Sequence, residues 1–582
     1  MITPPPLIKR RPAGVADELD GQLPPLLKRL YAARGIASSD ALDYRLARLL
    51  PCNGLSGIDA AAALLADTIE NQRPILIVGD FDTDGATSSA LAMRALRALG
   101  AADVGYLVPN RFEYGYGLTP EIAALAVARE PALVVTVDNG ISSVAGVAAL
   151  RERGIDVLVT DHHLPGETLP RANVIVNPNL PDDPFPSKAL AGVGVMFYVL
   201  IALRGCLRER NWFGRRGLAE PALADWLDLV ALGTVADMVP LDDNNRILVE
   251  QGLRRMRAGR CSAGIAALAQ LGGRDLARIT PADLGFAIAP RLNAAGRLDD
   301  MSLGIECLLA NEPARALALA ARLDELNRER REIEAGMRAE ALALIEPLLA
   351  EMDGAGATGL CLFEESWHQG VIGLVAGRVK DHAHRPVIAF ARADDETLKG
   401  SARSVPGLNI RDVLAAVDAR RPGLLRKFGG HAMAAGLTLA AAHYDDFAAA
   451  FDAEVRLALG DEELIKNILT DGALEPDELT LEMAELLRLA GPWGQAFPEP
   501  LFDGEFGIAE SRVVGERHLR LRVRLSETAP PLEAIAFNID ESAVAGCERI
   551  RLVYRPDVNV WRGESRLQLV VEHLEPIPAR HP

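Results

Sequence analysis

Short apolar runs alternate with Ala- and Leu-rich stretches of helical length between residues 74 and 180. The short runs are rich in Val and Ile and predict β-strands, and the longer stretches predict helices. Strands separated by helices of this length predict βαβ units and therefore a parallel sheet. The predicted strands are 75–79, 104–109, 132–137, 155–160 and 174–177, and the predicted helices are 86–99, 119–130 and 142–153.

The pattern changes twice further along the chain. Residues 312–350 predict one long amphipathic helix, and they lack the sustained heptads of a coiled coil. A second α/β segment follows over 355–458. After residue 470 the runs HLRLRVRL, EAIAFNI, RIRLVYR and RLQLVVE, separated by turn-forming residues, predict a small antiparallel barrel or sandwich. We therefore expect an N-terminal extension, an α/β domain, a connecting helix, a smaller α/β domain and an all-β domain, over 1–50, 51–310, 311–352, 353–460 and 465–582.

Composition indicates the cellular compartment, but the acidic net charge argues against a nucleic-acid ligand. The net charge is -18, and composition alone would favour a small-molecule enzyme because nucleic-acid binders are usually basic. The six cysteines form no CxxC pair, which argues against a zinc ribbon and a disulfide framework and indicates a reducing compartment. The most apolar stretch, 193–203, is too short for a membrane span, so we expect a cytoplasmic protein.

The strongest chemical signal is GDFDTDGATSS at 79–89, directly after a predicted strand. Asp80, Asp82 and Asp84 crowd three carboxylates together, which is unfavourable unless a cation lies among them. Hard divalent ions bind oxygen ligands of this kind. An EF-hand loop is excluded because its twelfth position is Leu91 and a strand precedes it.

Two more predicted strands end in similar residues. The strand 132–137 leads into Asp138, and the strand 155–160 leads into the triplet Asp161, His162 and His163. A lone Asp after a strand is more often a helix cap than a ligand, but parallel strands bring their carboxyl ends to one edge. A further apolar run, 226–241, contains Asp237. This mixed carboxylate and imidazole set suits Mn²⁺ or Mg²⁺ and is large enough for two ions.

No P-loop, HExxH or GxSxG motif is present, which disfavours P-loop nucleotidases, zincins and serine hydrolases. With these residues assembled, the chain resembles the DHH phosphoesterase superfamily, named for the triplet at 161–163, and within it the RecJ family. The resemblance runs in order along nearly the whole chain. Its segments are VPNRFEYGYGLT, VTVDNGISS, VTDHHLP, LAGVGV, LVALGTVADMVPL and APRLNAAGRL in the first lobe and WHQGVIGLVAGRV, GSARS and KFGGHAMAAG in the second.

The resemblance implies a DHH parallel-sheet lobe joined by the long helix to a smaller DHHA1 α/β lobe, followed by an OB-like β domain. It implies a two-metal 5′→3′ exonuclease on single-stranded DNA, acting in recombination and repair, with Mn²⁺ or Mg²⁺ as cofactor. It also implies a monomer that works with a single-stranded-DNA-binding protein and a helicase. Metal ligation carries over to Asp80, Asp82, Asp84, Asp138, His162 and Asp237.

Further roles are implied for residues around the metals. Asp138 would bridge the ions, Asp161 would orient its neighbours, and His163 would contact the scissile phosphate. The implied nucleic-acid contacts are Arg111, Ser401 and Arg403 for a terminal 5′ phosphate, Arg291 and Arg297 for the backbone, and Gly429, Gly430 and His431 in the second lobe. A surface ion pair remains the alternative for any single Arg, and a tight turn remains the alternative for the Gly-Gly-His segment.

In the C-terminal domain, Arg520, Arg522 and Arg524 alternate along a predicted strand and share one face with His518. This face could follow a DNA backbone or could be a solvated strand face. Tyr554 and Trp561 are additional stacking candidates. Two other functions stay open for the whole chain, a DHH hydrolase of oligoribonucleotides or polyphosphate and a non-catalytic DHH scaffold, although the complete acidic and His set argues against the scaffold.

Overall fold

The computed structural model describes residues 6–15, 19, 22–109, 117–350, 358–460, 466–515, 518–539 and 541–577. The chain divides into two compact units. The larger unit comprises residues 9–296, 300–324 and 469–582, and the smaller comprises residues 1–8, 297–299 and 325–468. In the described ranges no single helix has the length and apolarity to cross a membrane, and one sharply bent pair, Leu46–Gly54 with Ile58–Glu70, passes on these criteria alone.

The predicted parallel sheet is confirmed. An N-terminal strand β1 (Leu7–Arg10) and helix α1 (Pro25–Ala32) precede it. Its strands lie in the order β3-β2-β4-β5-β6, all parallel. They are β2 (Ile75–Gly79), β3 (Val104–Leu107), β4 (Leu133–Val137), β5 (Asp156–Thr160) and β6 (Val174–Val176).

Helices cover this sheet and extend the lobe beyond it. Strands β2 and β4 are buried at every position, as expected for a parallel sheet with both faces covered. The lobe helices are α2 (Ile58–Glu70), α3 (Thr83–Ala98), α4 (Pro120–Val127), α5 (Val144–Glu152), α6 (Gly192–Glu209), α7 (Trp212–Arg216), α8 (Leu227–Ala236), α9 (Asp243–Arg257), α10 (Ala263–Leu271), α11 (Pro281–Asp283), a π-helix (Leu284–Ile288), α12 (Ala289–Leu298) and α13 (Ser302–Leu309).

The smaller unit contains the second α/β sheet. The predicted long helix is confirmed as α14 (Pro313–Ala350). The sheet has the order β10-β11-β9-β8-β7, in which only the pair β7 and β8 is parallel. Helix α15 packs on one face, and α16 and α17 pack on the other. These elements are β7 (Leu360–Phe363), α15 (Ile372–Ala383), β8 (Val387–Asp394), β9 (Thr397–Arg403), α16 (Ile410–Arg420), β10 (Leu425–Gly430), β11 (Ala434–Ala440) and α17 (Tyr444–Leu459).

The C-terminal strands close into the predicted barrel, in the order β13-β14-β15-β17-β16. All neighbours are antiparallel except β15 and β17. The segment contains β12 (Asn467–Thr470), α18 (Leu481–Leu489), β13 (Phe502–Val514), β14 (His518–Arg524), β15 (Leu532–Phe537), β16 (Arg549–Trp561) and β17 (Glu564–Ile577). Tyr554 is buried in the barrel core against Phe506, so its role as a stacking candidate is wrong.

The two ends of the chain meet in the larger unit. Strand β1 pairs with β12. The Tyr31 ring of α1 stacks on Trp493 at 6.0 Å, and the Arg34 guanidinium, fully buried, donates two hydrogen bonds of 2.9 Å to Asp471. These contacts join the N-terminal extension to the β domain.

A buried carboxylate on β13 collects donors from three parts of this junction. Asp503 accepts hydrogen bonds from Arg10 at 3.2 Å, from Thr470 at 2.7 Å and from Arg551 at 3.0 Å. Burial alone would raise the pKa of Asp503, but these donors outweigh burial and hold it below its ordinary value. The ionised carboxylate therefore stabilises the folded state.

We expect Asp503→Asn to lower the free energy of unfolding by about 2 kcal/mol near neutral pH, since charge-assisted hydrogen bonds are lost. Because the folded-state pKa is depressed, this contribution is present above about pH 4, the pKa range of an unfolded Asp, and is lost as pH falls through the folded-state value. Denaturation of both proteins between pH 7 and pH 3 measures it. The control is Glu505→Gln on the same strand, where an exposed carboxylate pairs with Arg549. A difference that stays constant down to pH 3 would contradict the assignment.

Candidate metal centre

Three acidic residues follow adjacent strands at one edge of the parallel sheet. Asp80 follows β2, Asp138 follows β4 and Asp161 follows β5. The last residues of these strands are paired, Gly79 with Val137 and Val137 with Thr160, so the three strand ends are level. The chain also reverses its strand order between β2 and β4, and ligands of open α/β sheets bind at such a switch point. The three strand-end positions predicted from the sequence are therefore brought together.

Helix α3 carries the other two acids of the first motif. Asp82 caps the helix, since its side chain accepts from Gly85 N at 3.0 Å. Asp84 lies in the first turn and accepts from Gly192 N at 2.6 Å and Val193 N at 3.0 Å. Those two amides begin α6, so the partial positive charge of a second helix N-terminus faces Asp84. Asp82 is thus both a cap and a candidate ligand.

His162 links two carboxylates of the cluster. Its Nε2 lies 3.1 Å from Asp138 Oδ1 and 3.5 Å from Asp237 Oδ2. Asp237 comes from the end of α8 and not from a strand, and the fourth apolar run is therefore helical. Asp138 has a φ of 61°, in the left-handed region that Asp tolerates better than most side chains. A strained backbone at a carboxylate of this kind is typical of functional sites.

The donor atoms form three overlapping groups, each small enough to surround one ion. In each group the atoms lie within 4.8 Å of one another. Asp138 belongs to two groups and His162 belongs to two. The groups are Asp138, His162 and His163, then Asp84, His162 and Asp237, and finally Asp80, Asp82 and Asp138.

Crowding and burial disfavour the ionised carboxylates. Burial, followed by the charge of Asp82, raises the pKa of Asp84 to about 7. Burial and the neighbouring charge of Asp84 also raise the pKa values of Asp138 and Asp237 well above the ordinary range. A divalent cation would remove this repulsion, and oxygen and imidazole donors are those preferred by Mn²⁺ and Mg²⁺. The residues present therefore fit a pair of divalent ions.

The buried Asp161 and the partly exposed His163 form a pair beside the cluster. Asp161 accepts from the backbone N–H of Ile141, His162 and His163, and His163 Nδ1 lies 2.7 Å from its Oδ1. Burial opposes both charges, yet the hydrogen bond outweighs it, lowering the pKa of Asp161 and raising the pKa of His163 to about 9. Asp161 therefore holds Nδ1 of His163 and favours the protonated form of the ring.

Several residues outside the predicted site position the segments that carry the metal-site acids. Asn293 Oδ1 accepts from Thr83 N at 2.8 Å and from Thr83 Oγ1 at 2.9 Å, which attaches α12 to the start of α3. Three glycines allow close approach, because a Cβ would lie 1.8 Å from Phe81 O at Gly296, 2.5 Å from Asp138 Cβ at Gly192, and 2.7 Å from Asp84 Oδ1 at Gly233. The only sequence signal was their presence within APRLNAAGRL, LAGVGV and LVALGTVADMVPL.

The substrate-binding residues predicted for the second lobe all lie in the smaller unit. Arg403 Nη1 donates to Ser401 Oγ at 3.0 Å, and both side chains lie beside Gly373 in the first turn of α15. Burial lowers the pKa of Arg403. In the described part of the chain, no carboxylate lies within 4 Å of this guanidinium. Gly429 and Gly430 end β10 and pair with β11, and His431 follows in the turn between these strands with its side chain exposed.

The other predicted arginines have different environments. Arg111, predicted with Ser401 and Arg403 to bind the terminal 5′ phosphate, lies outside the described residues. Arg291 is buried, with its guanidinium bonded to Asp324 at 2.9 Å and to the carbonyls of Ala287 and Leu271. Arg297 donates to Gly370 O at 3.0 Å. A contact between Arg291 and DNA would require exchange of its internal bonds, and these roles stay predictions.

The predicted alternation on β14 is confirmed, because Leu519, Leu521 and Val523 are buried between the more exposed Arg positions. However, strands from elsewhere in the barrel supply acids. Arg520 pairs with Glu533 at 2.8 Å, and Arg522 lies 3.5 Å from Glu510. Arg520, Arg522 and Arg524 therefore lie on a face of mixed charge, and their role in following a DNA backbone stays a prediction. The Trp561 side chain is not among those that the structure describes.

Comparisons with known proteins agree with this geometry. Models of the DHH family N-terminal domain, the DHHA1 domain and the RecJ OB domain match residues 74–234, 356–457 and 470–573. The chain is 55% identical over 575 residues to the single-stranded-DNA-specific exonuclease RecJ of Dickeya dadantii, covering 98% of this chain and 99% of that protein. It is also similar to crystal structures of Thermus thermophilus RecJ with Mn²⁺ (TM-score 0.80, 30% identity, 98% of this chain and 80% of that chain) and with Mg²⁺ (TM-score 0.74, 28% identity, 98% and 79%).

Proposed function

Because the chain belongs to the RecJ family of single-stranded-DNA-specific exonucleases that use divalent metal ions, we propose that the cluster at the edge of its parallel sheet is the hydrolytic centre. The observation that carries this assignment is the set of overlapping donor groups that share Asp138 and His162. Two Mn²⁺ or Mg²⁺ ions would be held by Asp80, Asp82, Asp84, Asp138, His162 and Asp237, with Asp138 shared between them.

The protein residues have separate tasks in phosphodiester hydrolysis. Bound ions of this type supply an activated water at neutral pH and stabilise charge on the attacking and leaving oxygens. Asp161 holds Nδ1 of His163, so that the protonated ring would direct its Nε2–H to an oxygen of the scissile phosphate. The amides of Gly192 and Val193 hold Asp84 in one orientation. Hydrolysis thus depends on carboxylates whose positions are determined by backbone groups.

We further propose that digestion proceeds 5′→3′ and that Arg403 and Ser401 bind the terminal 5′ phosphate. An arginine without a carboxylate partner in the described chain, beside a hydroxyl and the first turn of a helix, is a suitable anion site. Gly429 and Gly430 at the end of β10, and His431 after them, would contribute substrate contacts on the same sheet. Six free cysteines support a reducing cytoplasm. A monomeric state, and partnership with a single-stranded-DNA-binding protein and a helicase, rest on the family resemblance.

The proposal is tested by digesting single strands labelled at either end, in Mn²⁺ and in Mg²⁺. We expect mononucleotides to be released first from the 5′ end, and matched duplex DNA, single-stranded RNA and polyphosphate to react far more slowly. Release that begins at the 3′ end would contradict the polarity. Comparable rates on RNA or polyphosphate would favour a different DHH hydrolase.

Arg403→Ala is expected to reduce kcat/KM on 5′-phosphorylated strands by about tenfold or more, with a much smaller effect on 5′-hydroxyl strands, because a charged hydrogen bond to the end group is lost. Arg411→Ala serves as the matched control, since Arg411 is an exposed arginine on α16, on the other face of the sheet. An equal loss on both kinds of end would remove the end-recognition role.

A further inference from the structure

Among the described residues between 22 and 324, which include the parallel sheet and the metal centre, the three most exposed large apolar side chains are Phe286, Met238 and Leu164. They are 79%, 70% and 55% exposed, whereas no other large apolar side chain among the described residues between 22 and 324 exceeds 40%. Leu164 directly follows His163, and Met238 directly follows Asp237. We call these three residues the apolar rim. Single exposed apolar residues are normal on a surface, but two of these three directly follow residues of the metal centre.

Phe286 belongs to an element that contacts α8, the helix that leads into Asp237. It lies in the π-helix Leu284–Ile288, whose first and last residues are fully buried. A Cβ at Gly285 would lie 3.5 Å from Val235 Cγ1, and Val235 precedes Asp237 by two residues. The π-helix therefore contacts the last turn of α8, the turn that ends at Asp237. Short π-helical segments are frequent at functional sites.

The backbone at Met238 also directs an apolar side chain to solvent. Its φ is 59°, in the left-handed region that is unfavourable for a long side chain. The residue nevertheless presents its thioether at the surface, directly after a metal-site carboxylate. Neither strain nor exposure of this kind stabilises the folded state, which indicates a role in binding.

We propose that the apolar rim contacts the faces of nucleobases next to the scissile phosphate, which helps to select single strands. This inference rests on the proposed function, because the strand must enter the metal centre beside these residues. Bases of a single strand expose their π-faces, whereas stacking and pairing cover them in a duplex. The rim side chains lack hydrogen-bonding groups suited to base edges, so the contact is independent of sequence. Phe286 supplies the principal stacking surface.

The inference is tested with two matched single strands, one unmodified and one with abasic residues at its four terminal positions. For the wild-type protein in Mn²⁺, we expect kcat/KM to be roughly tenfold higher on the unmodified strand, the order of one base–aromatic stack. Phe286→Ala removes this preference by lowering kcat/KM on the unmodified strand alone. Phe286→Trp retains the preference. Leu125→Ala, at an apolar residue of α4 that is 40% exposed, changes neither value.

A second readout follows the base directly. With 2-aminopurine at each of the terminal positions in turn, the wild-type protein without added metal quenches fluorescence at the base that stacks on Phe286, and Phe286→Ala abolishes that quenching. The inference is overturned if the wild-type protein hydrolyses both strands equally, or if Phe286→Ala lowers both rates by the same factor. Equal hydrolysis would leave the proposed nuclease intact, whereas hydrolysis of neither strand would overturn the proposed function together with this inference.

Discussion

Asp138→Asn is expected to lower hydrolysis of single-stranded DNA by about a thousandfold, about 4 kcal/mol of activation free energy, and to raise the melting temperature of the metal-free protein. The activity falls because the carboxylate shared by two donor groups is lost. The melting temperature rises because a buried charge surrounded by Asp84, Asp82, Asp237 and Asp80 is removed. Asparagine also tolerates the left-handed backbone at this position.

The measurement compares kcat/KM in Mn²⁺ and melting curves in a chelator with those of Asp183→Asn. Asp183 is a buried carboxylate of the same lobe that accepts from Ser56 N and Phe185 N and belongs to none of the three donor groups. Its replacement should lower the melting temperature and leave turnover close to wild type. Mn²⁺ should stabilise the control variant more than Asp138→Asn. Activity above a tenth of the wild-type value in Asp138→Asn would contradict the shared-ligand assignment.

Gly296→Ala is expected to lower kcat/KM by about a hundredfold although Gly296 is not a ligand. The new Cβ would lie 1.8 Å from the carbonyl oxygen of Phe81. Either α12 or the segment from Asp80 to Asp82 must therefore move. Phe81 lies between Asp80 and Asp82, and a displacement of about 1 Å at a reacting centre costs about a hundredfold in rate. Weaker Mn²⁺ binding in calorimetry should accompany the loss of activity.

The matched control for this substitution is Gly336→Ala. Gly336 is also a helical glycine, in α14, and a Cβ there meets no atom within 4 Å. We expect it to retain activity and to gain about 0.5–1 kcal/mol of stability from the better helix propensity of Ala. Wild-type Mn²⁺ affinity in Gly296→Ala would show that the loop tolerates the displacement.

The sequence predicted the sheet and most of the candidate centre because the relevant signals are local. Strand β2 matches its predicted range, and the acids that follow β2, β4 and β5 could be assigned to one edge from the parallel arrangement alone. Strand β13 was missed because Gly504 and Gly507 and several acidic residues interrupt its apolar alternation.

Features that depend on distant residues were not accessible from local patterns. The acids beside Arg520 and Arg522 belong to β13 and β15, and strand register is invisible along one strand. The clearance required at Gly296 depends on the path of Phe81, more than two hundred residues earlier. The burial of Arg291 against Asp324 depends on the packing of α12 against α14.

The contacts between the two ends of the chain have a consequence during protein synthesis. Arg34 and Asp471 are separated by 437 residues. At a synthesis rate of about 5–20 residues per second, Asp471 is therefore added roughly 20–90 s after Arg34. The Tyr31 ring waits similarly for Trp493. A nascent chain that stops after the second lobe would carry every metal-site residue but would lack the β-domain partners of Tyr31 and Arg34. The β domain therefore completes the N-terminal part of the enzyme, because a segment that is made later stabilises one that was made earlier.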